Sequence, residues 1–279
     1  MHQDSFREAF MRGYRRIPTT IRWIITINVG VFFLQALGGS GLNNFLIRFF
    51  AFDPDLMVAL FQPWRFVTYM FLHGSGFHLL FNMLWLWWMG RAVEETLGPR
   101  TFAVLYFGSG IGGALLDVVL SVFFGINFVI GASGAVFGIM VVFAVMFPRT
   151  PIMLFLLPPI EARFLVAGLI AFDVLFLGSG DNVARIVHLG GAGVGYLLIK
   201  AHYAGYDLSS VIRPAENFVK KSPKKRKRNK NMYSVSDVEI MEESDSDELD
   251  EILEKISKNG YDSLTSEEKK KLFELSKRN

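Results

Sequence analysis

Three short polar clusters interrupt the apolar stretches of this 279-residue chain, and their residue types are those used in acyl transfer. His78 and Asn82 are four residues apart, which places them on one face of a helix. Ser133 stands in the run Gly131-Ala-Ser133-Gly134, and His188 stands two residues before a pair of glycines. Polar side chains in membrane spans are costly and usually face the interior of a bundle, so each cluster is a functional candidate.

The residue types of these clusters suggest a division of chemical roles. A serine hydroxyl is a weak nucleophile until a neighbouring base accepts its proton, and His188 is the base available to Ser133. The oxyanion that then forms needs donors, which His78, Asn82 and the backbone N–H groups at the start of the Ser133 helix can supply. The positive end of that helix dipole acts in the same direction. The set predicts nucleophilic attack on a carbonyl carbon, with no metal and no organic cofactor.

Glycines beside the serine and the histidine provide a way to bring the two together. Gly134 and Gly138 form one small-xxx-small pair, and Gly191 and Gly195 form another. Such pairs let two helix backbones approach closely in lipid. We therefore expect the two helices to pack against each other at these glycines, with Ser133 within reach of His188.

The elements that must position these residues are six apolar stretches, which predict an all-α bundle of six transmembrane helices. A four-span arrangement with two re-entrant segments is the structural alternative, because only the third stretch clearly exceeds the length that a bilayer about 30 Å thick requires. The six stretches fall at residues 21–37, 77–93, 102–122, 133–147, 160–177 and 186–199.

Charge is distributed very unevenly along the chain. Residues 1–204 carry 13 Lys or Arg and 10 Asp or Glu, whereas residues 205–279 carry 16 of each, so the first part is a membrane body and the second a solvated tail. Basic residues flank the spans on the side that places both termini in the cytoplasm. The three polar clusters then lie toward the outer face, and residues 38–76 form a long external loop, partly embedded in the membrane.

The absence of cysteine excludes a disulfide framework, a zinc finger and a cysteine nucleophile. Intramembrane carboxylates often mark proton or ion pathways, so Asp117 and Asp173 raise the further alternative of a small transporter. Either aspartate could instead orient His188 as a third member of the catalytic group. We expect both to be partly exposed toward the outer interface.

The polar clusters resemble those of the rhomboid family of intramembrane serine proteases. Four pieces match in the family's order across roughly residues 20–203: Trp64-Arg65, His78-x-x-x-Asn82, Gly131-Ala-Ser133-Gly134 and His188-x-x-Gly191. Together they are far more specific than Gly-x-Ser-Gly alone. The resemblance implies a six-helix core and a Ser133–His188 dyad without an acidic third member. It also implies an oxyanion site made by His78, Asn82 and the Ser133 amide.

Two positions depart from the family's usual pattern. Val187 stands where alanine commonly precedes the catalytic histidine, and Phe137 stands where a tyrosine is frequent, one turn after Ser133. Phe137 keeps a ring that can stack on His188 but has no hydroxyl, and neither change removes a catalytic atom. We interpret Trp64 and Arg65 as anchors of the external loop.

The resemblance also implies a substrate class and a location. Rhomboid proteases cleave the transmembrane helices of other proteins near the outer surface, so the implied protein is an endopeptidase of the bacterial inner membrane with transmembrane proteins as substrates. A non-catalytic rhomboid-like protein that binds membrane clients for quality control is the alternative. Inactive relatives generally lack the serine or the histidine, and this chain has both.

Three domains are expected from the same patterns: a membrane core at 1–204, a basic and then acidic linker at 205–246, and a small helical domain at 247–279. Lys220–Lys230 holds eight basic residues, which favours contact with anionic lipids over nucleic acid.

The last segment is predicted to form a cytoplasmic helical hairpin. Apolar spacing over 249–256, a stop at Asn259-Gly260 and a capping box at Thr265-x-x-Glu268 indicate two short helices. The hairpin resembles the appendage of some bacterial rhomboids, and it is expected to bind a partner that the sequence does not identify or to serve in packing.

Overall fold

The computed structural model of the chain describes residues 6–125, 127–153, 158–177, 182–213, 252–258, 260 and 263–269. The chain divides into two compact units, Met1–Lys220 and Lys221–Asn279.

Helices dominate the described part of the first unit, as the sequence predicts. A short strand β1 (Pro151–Ile152) pairs antiparallel with a strand β2 (Ile160–Glu161). The helices are α1 (Phe6–Arg16), α2 (Thr19–Leu37), α3 (Gly39–Phe50), α4 (Leu56–Phe61), α5 (Arg65–Thr68), α6 (Gly76–Leu97), α7 (Pro99–Phe124), α8 (Ser133–Met146), α9 (Ala162–Leu175) and α10 (Asn182–Tyr203), with 3₁₀ turns at Tyr69–Phe71 and Leu208–Val211.

Each of the six predicted apolar stretches coincides with one of the helices α2, α6, α7, α8, α9 and α10. Among the described helices, α2 and α7 are long and apolar enough to cross a bilayer by length and composition. Helix α8 is apolar after Ser133 but has 14 residues, a length of about 21 Å. Length and composition therefore identify two spans.

Local signals explain where the long helices begin and end. The Ser75 hydroxyl accepts a hydrogen bond from the backbone N–H of His78 and so caps the start of α6. Gly98 has φ +81°, which ends α6, and Pro99 then occupies the first turn of α7. This Gly-Pro pair ends one helix and begins the next without an intervening loop.

The connection 38–76 is largely helical, not the long loop that the sequence suggested. It contains α3, α4 and α5 and the first 3₁₀ turn. Asp55 caps α4 by accepting hydrogen bonds from the backbone N–H groups of Met57 and Val58. Apolar side chains of α3 such as Phe45 are exposed.

The core of the first unit lies where α7, α8 and α10 meet. Nine of the 14 residues of α8 are buried, whereas only Ala162, Val166 and Asp173 are buried on α9. Helix α8 is thus central and α9 peripheral. Helix α2 is tied to α6 by Glu94, whose carboxylate accepts hydrogen bonds from backbone N–H groups at the start of α2.

In the described part of the second unit, residues 252–258 and 266–269 are helical. The first helix ends where Gly260, with φ +79°, donates its N–H to the carbonyl of Ile256. Thr265 and Glu268 exchange hydrogen bonds, so the predicted capping box is confirmed. Lys220–Lys230 and residues 270–276 of the predicted second helix lie outside the described residues.

Candidate active site

The three polar clusters line one cavity of about 500 Å³ in the first unit. Its wall includes His78 and Asn82 from α6, Ser133 and Phe137 from α8, and His188 from α10. Each of these residues lies in the N-terminal half of its helix, so the three helices present the same end to the cavity. The structure therefore brings together side chains that are far apart in the sequence.

Ser133 is the first residue of α8, where the backbone N–H groups have no partner within the helix. The preceding turn depends on Gly131, whose φ of +125° is strained for any other residue. A Cβ at Gly131 would also lie 2.6 Å from the imidazole of His78. Gly131 therefore lets α6 and the start of α8 come close enough to share one site.

Two contacts outside the sequence-predicted set hold the segment before Ser133 in place. The backbone N–H of Gly131 donates to the carbonyl of Tyr69 over 3.0 Å. Phe52 and Val129 exchange two backbone hydrogen bonds of 2.9 Å as an isolated antiparallel bridge. The Tyr69 hydroxyl donates to the carbonyl of Gly110 on α7, which fixes this support to the core. These backbone partners carry no sequence motif, so pattern reasoning missed them.

His188 is held by two neighbours of different kinds. The ring of Phe137 stacks on the imidazole, with centroids 4.2 Å apart and planes 6° from parallel. Oδ2 of Asp173 lies 2.9 Å from Nδ1 of His188. The expectation that Asp117 and Asp173 are partly exposed is wrong, because they are only 1% and 6% exposed. The Asp173 carboxylate instead turns inward from α9 to meet the histidine.

The glycines of α8 and α10 lie at a close helix crossing. A Cβ at Gly191 would lie 2.0 Å from the carbonyl oxygen of Gly134, and one at Gly195 would lie 2.6 Å from that of Gly138. A Cβ at Gly138 would in turn overlap the side chain of Ser109. Two backbones are therefore in direct contact beside the candidate catalytic residues.

Val187 takes part in the same packing. Its Cγ1 would lie 2.7 Å from a Cβ on Gly134 and 2.9 Å from one on Gly113, and the side chain is 1% exposed. The larger residue before His188 is thus accommodated by glycines on both facing helices.

His78 and Asn82 occupy the α6 side of the cavity. Nδ2 of Asn82 donates to the carbonyl of His78 over 3.0 Å, which leaves its second N–H available to the cavity. The ring of His73 meets that of His78 edge-on, with centroids 5.0 Å apart. The side chains of His78 and Asn82 carry N–H donors on the side of the cavity that faces the start of α8.

Trp64 and Arg65 satisfy the carbonyl oxygens at the end of α3. Nε1 of Trp64 donates to the Phe49 carbonyl over 3.1 Å, and Nη1 of Arg65 donates to the Ala51 carbonyl over 2.7 Å. Nη2 of Arg65 donates to the Arg48 carbonyl. Arg65 is 5% exposed. The pair therefore joins two helices of the connection and does not reach the cavity.

In the described parts of the chain, no three His, Asp or Glu side chains come together in a way that could hold an ion. The polar side chains that line the cavity include those of Ser133, His78, His188 and Asn82.

The helical core and the order of these motifs agree with the rhomboid resemblance, and the chain belongs to the rhomboid family. The model of the rhomboid domain matches residues 60–204, more than half of the chain. Membership makes the chain an integral membrane protein. Residues 242–278 match a family of unknown function.

A curated relative is the Rhomboid protease GluP of Bacillus subtilis (strain 168), to which the chain is 34% identical over 121 residues. That stretch covers 43% of this chain and 23% of the relative. The chain thus matches less than a quarter of the length of this relative.

Proposed function

We propose that this chain is a serine endopeptidase that cleaves transmembrane segments of membrane proteins near the outer membrane face, with Ser133 and His188 as its dyad. The observation that carries the proposal is the shared cavity, in which a serine at a helix N-terminus accompanies a stacked histidine. Family membership and the relative named a rhomboid protease support the same class of reaction.

In the proposed reaction, Nε2 of His188 accepts the proton of the Ser133 hydroxyl as Oγ bonds to the carbonyl carbon of the scissile peptide. The carbonyl oxygen becomes an oxyanion, and donors from His78, Asn82 and the Ser133 amide stabilise it. When the C–N bond breaks, His188 gives its proton to the leaving amine. Water then attacks the acyl group by the same route and regenerates Ser133.

The oxyanion donors are supporting groups in this scheme. Removal of one such donor typically lowers kcat by about 10²- to 10³-fold, whereas removal of the nucleophile abolishes the covalent route. We therefore expect Asn82→Ala to retain measurable cleavage and Ser133→Ala to retain none.

The decisive experiment combines cleavage with covalent labelling. Purified full-length protein in detergent is given a reporter membrane protein with one transmembrane helix and, separately, a fluorophosphonate probe. The wild type should cleave the reporter and carry the probe on Ser133, as located by mass spectrometry, and Ser133→Ala should do neither. Unchanged cleavage by Ser133→Ala would disprove the serine mechanism. A folded wild type that binds the reporter but neither cleaves it nor takes up the probe would favour the client-binding alternative.

We also propose the six-span topology, with both termini in the cytoplasm of a bacterial inner membrane and the cavity toward the outside. Helices α6, α8, α9 and α10 are shorter or more polar than α2 and α7, and burial within a bundle relaxes the length that each needs. The positive-inside rule supports the orientation, because Arg91 and Arg100 flank the turn between α6 and α7.

We also propose a domain division, a lipid contact and a partner contact for residues 205–279. The core ends near residue 204, a linker occupies 205–246 and a separate domain occupies 247–279. The basic segment Lys220–Lys230 binds anionic lipids of the cytoplasmic leaflet, at roughly 1 kcal/mol for each basic residue near the surface. The C-terminal hairpin binds a partner of unknown identity.

A further inference from the structure

Asp173 is the one carboxylate on α9 and it is buried, although most of that helix is exposed. Its neighbours Phe172 and Val174 are 53% and 51% exposed, so the helix turns Asp173 toward the core at this level. A carboxylate in apolar surroundings is costly unless it is paired and hydrogen-bonded. Its placement therefore points to a specific partner, and Oδ2 lies 2.9 Å from Nδ1 of His188.

This contact determines which nitrogen of His188 can act as a base. An ionised carboxylate only accepts hydrogen bonds, so Nδ1 of His188 carries the proton in this pair. Nε2 is then the unprotonated nitrogen, which is the form needed to take a proton from Ser133. A histidine in the other tautomer would present a donor to the serine and would be inactive as a base.

Phe137 and Asp173 restrain different motions of the same ring. The stack with Phe137 fixes the plane of the imidazole but permits rotation within that plane. The hydrogen bond to Oδ2 restrains that in-plane rotation. The two contacts come from α8 and α9, so the histidine on α10 is held from two other helices.

We propose that Asp173 is a positioning residue for His188, so that the catalytic group is Ser133–His188–Asp173 and not a dyad. This inference rests on the proposed function. When the Ser133 proton moves to Nε2, the imidazolium gains a charge that the adjacent carboxylate stabilises. In this scheme Asp173 does not take up the proton, which passes from Nε2 to the leaving amine.

The first test measures kcat and KM for full-length wild type, Asp173→Asn and Asp173→Glu with the reporter membrane protein. Asp173→Asn should lower kcat by roughly 10²- to 10⁴-fold, the upper figure being the loss when an amide replaces the acid of a serine-protease triad. KM should change little, because Asp173 acts on the base and not on the substrate. Asp173→Glu should restore part of the loss, since it returns an acceptor to Nδ1.

A purely structural role for Asp173 gives different results. If it only docks α9, Asp173→Asn and Asp173→Glu should both weaken folding and change kcat in proportion to the folded fraction. Asp117→Asn is the matched control, because it also removes a buried aspartate but should leave kcat unchanged. A kcat for folded Asp173→Asn within about threefold of the wild type would overturn the proposal.

The second test reads the histidine directly and needs no substrate. In full-length protein labelled with ¹⁵N-histidine, the His188 signals, assigned by loss in His188→Gln, should show protonation at Nδ1 in the wild type. Asp173→Asn should shift His188 toward the other tautomer, and an identical tautomer in both proteins would overturn the inference. Failure of wild-type cleavage and of Ser133 labelling would instead overturn the proposed function, and the catalytic role of Asp173 with it.

Discussion

The ring of Phe137 lies flat against the imidazole of His188, with centroids 4.2 Å apart and planes within 6° of parallel. Phe137 is four residues after Ser133 on α8 and therefore on the same face of that helix. One helix thus carries both the candidate nucleophile and the platform for its base. The position of the base relative to Ser133 depends on this stack and on the close contact of α8 with α10.

Replacing Phe137 should test how much the stack contributes to catalysis. Such ring pairs are worth about 0.5–1.5 kcal/mol, so Phe137→Ala should lower kcat by roughly two- to tenfold if the histidine loses its platform. Phe137→Tyr keeps the ring and should stay close to the wild type. The measurement is kcat on the reporter membrane protein, with the folded fraction determined in parallel. Equal rates for Phe137→Ala and Phe137→Tyr would show that the stack does not position His188.

Two glycines of α10 offer a matched pair for the helix crossing. A Cβ at Gly191 would lie 2.0 Å from the carbonyl oxygen of Gly134, whereas a Cβ at Gly193 would meet nothing within 4 Å. Gly191→Ala should separate the helices and lower both thermal stability and cleavage strongly. Gly193→Ala should be neutral or slightly stabilising, because alanine favours the helix by up to about 1 kcal/mol. The measurements are the melting temperature in detergent and kcat, and a harmless Gly191→Ala would contradict the close contact.

The start of α8 and the close crossing of α8 and α10 could be predicted from the sequence, because each depends on local residue types. Ser133 begins the helix after Gly131, and small residues recur four apart on α8 and α10. The orientation of Asp173 toward the core could not be predicted in this way. Its neighbours on α9 are apolar on all sides, so no alternation of polar and apolar residues indicates which face meets the core.

The helices within 38–76 were missed for another reason. The carbonyl groups at the end of α3 are satisfied by Trp64, Arg65 and Thr68, which lie 14 to 18 residues further along the chain. A local pattern does not reveal hydrogen bonds of this separation. The Trp64-Arg65 motif indicated an anchor, and the structure supplies the helix that it holds.

Glu94 should be important for stability although it lies outside the cavity. Its two carboxylate oxygens accept the backbone N–H groups of Thr20 and Ile21 over 2.7 and 2.9 Å, and the residue is 3% exposed. It therefore caps the start of α2 from α6. Hydrogen bonds to a buried charged group are worth about 1.5–3 kcal/mol each, so Glu94→Ala should lower the free energy of unfolding by roughly 2–4 kcal/mol. This loss is smaller than the sum for two hydrogen bonds because water can reach the N–H groups that the substitution frees.

Glu95 is the control for this measurement. It pairs with Arg91 at 2.7 Å, but both side chains are about half exposed, so Glu95→Ala should cost less than about 0.5 kcal/mol. Unfolding by denaturant in a fixed detergent gives both values. Equal losses for the two variants would show that the Glu94 cap does not stabilise α2.

The proposed topology can be tested by thiol accessibility, because the chain has no cysteine of its own. Asn44 on α3 and Ser210 in the second 3₁₀ turn are both exposed, and the proposed topology places them on opposite sides of the membrane. Asn44→Cys should react with an impermeant maleimide in intact spheroplasts. Ser210→Cys should react only after permeabilisation. The reverse pattern would invert the orientation, and reaction of both in intact spheroplasts would exclude the six-span arrangement.

The C-terminal unit should lose stability in acid through Glu268. Hydrogen bonds from Lys255 and from the backbone of Thr265 lower the pKa of this carboxyl from 4.5 to about 2. Because the folded pKa is depressed, the stabilisation is complete above pH 4.5 and is lost as the pH falls from there toward 2. Amide hydrogen exchange of peptides covering 252–269 in the full-length protein, corrected for intrinsic rates, should show protection that decreases over this range. Glu268→Gln should show weaker protection at neutral pH and a flatter pH dependence. A variant with the same profile as the wild type would mean that this carboxylate does not stabilise the hairpin.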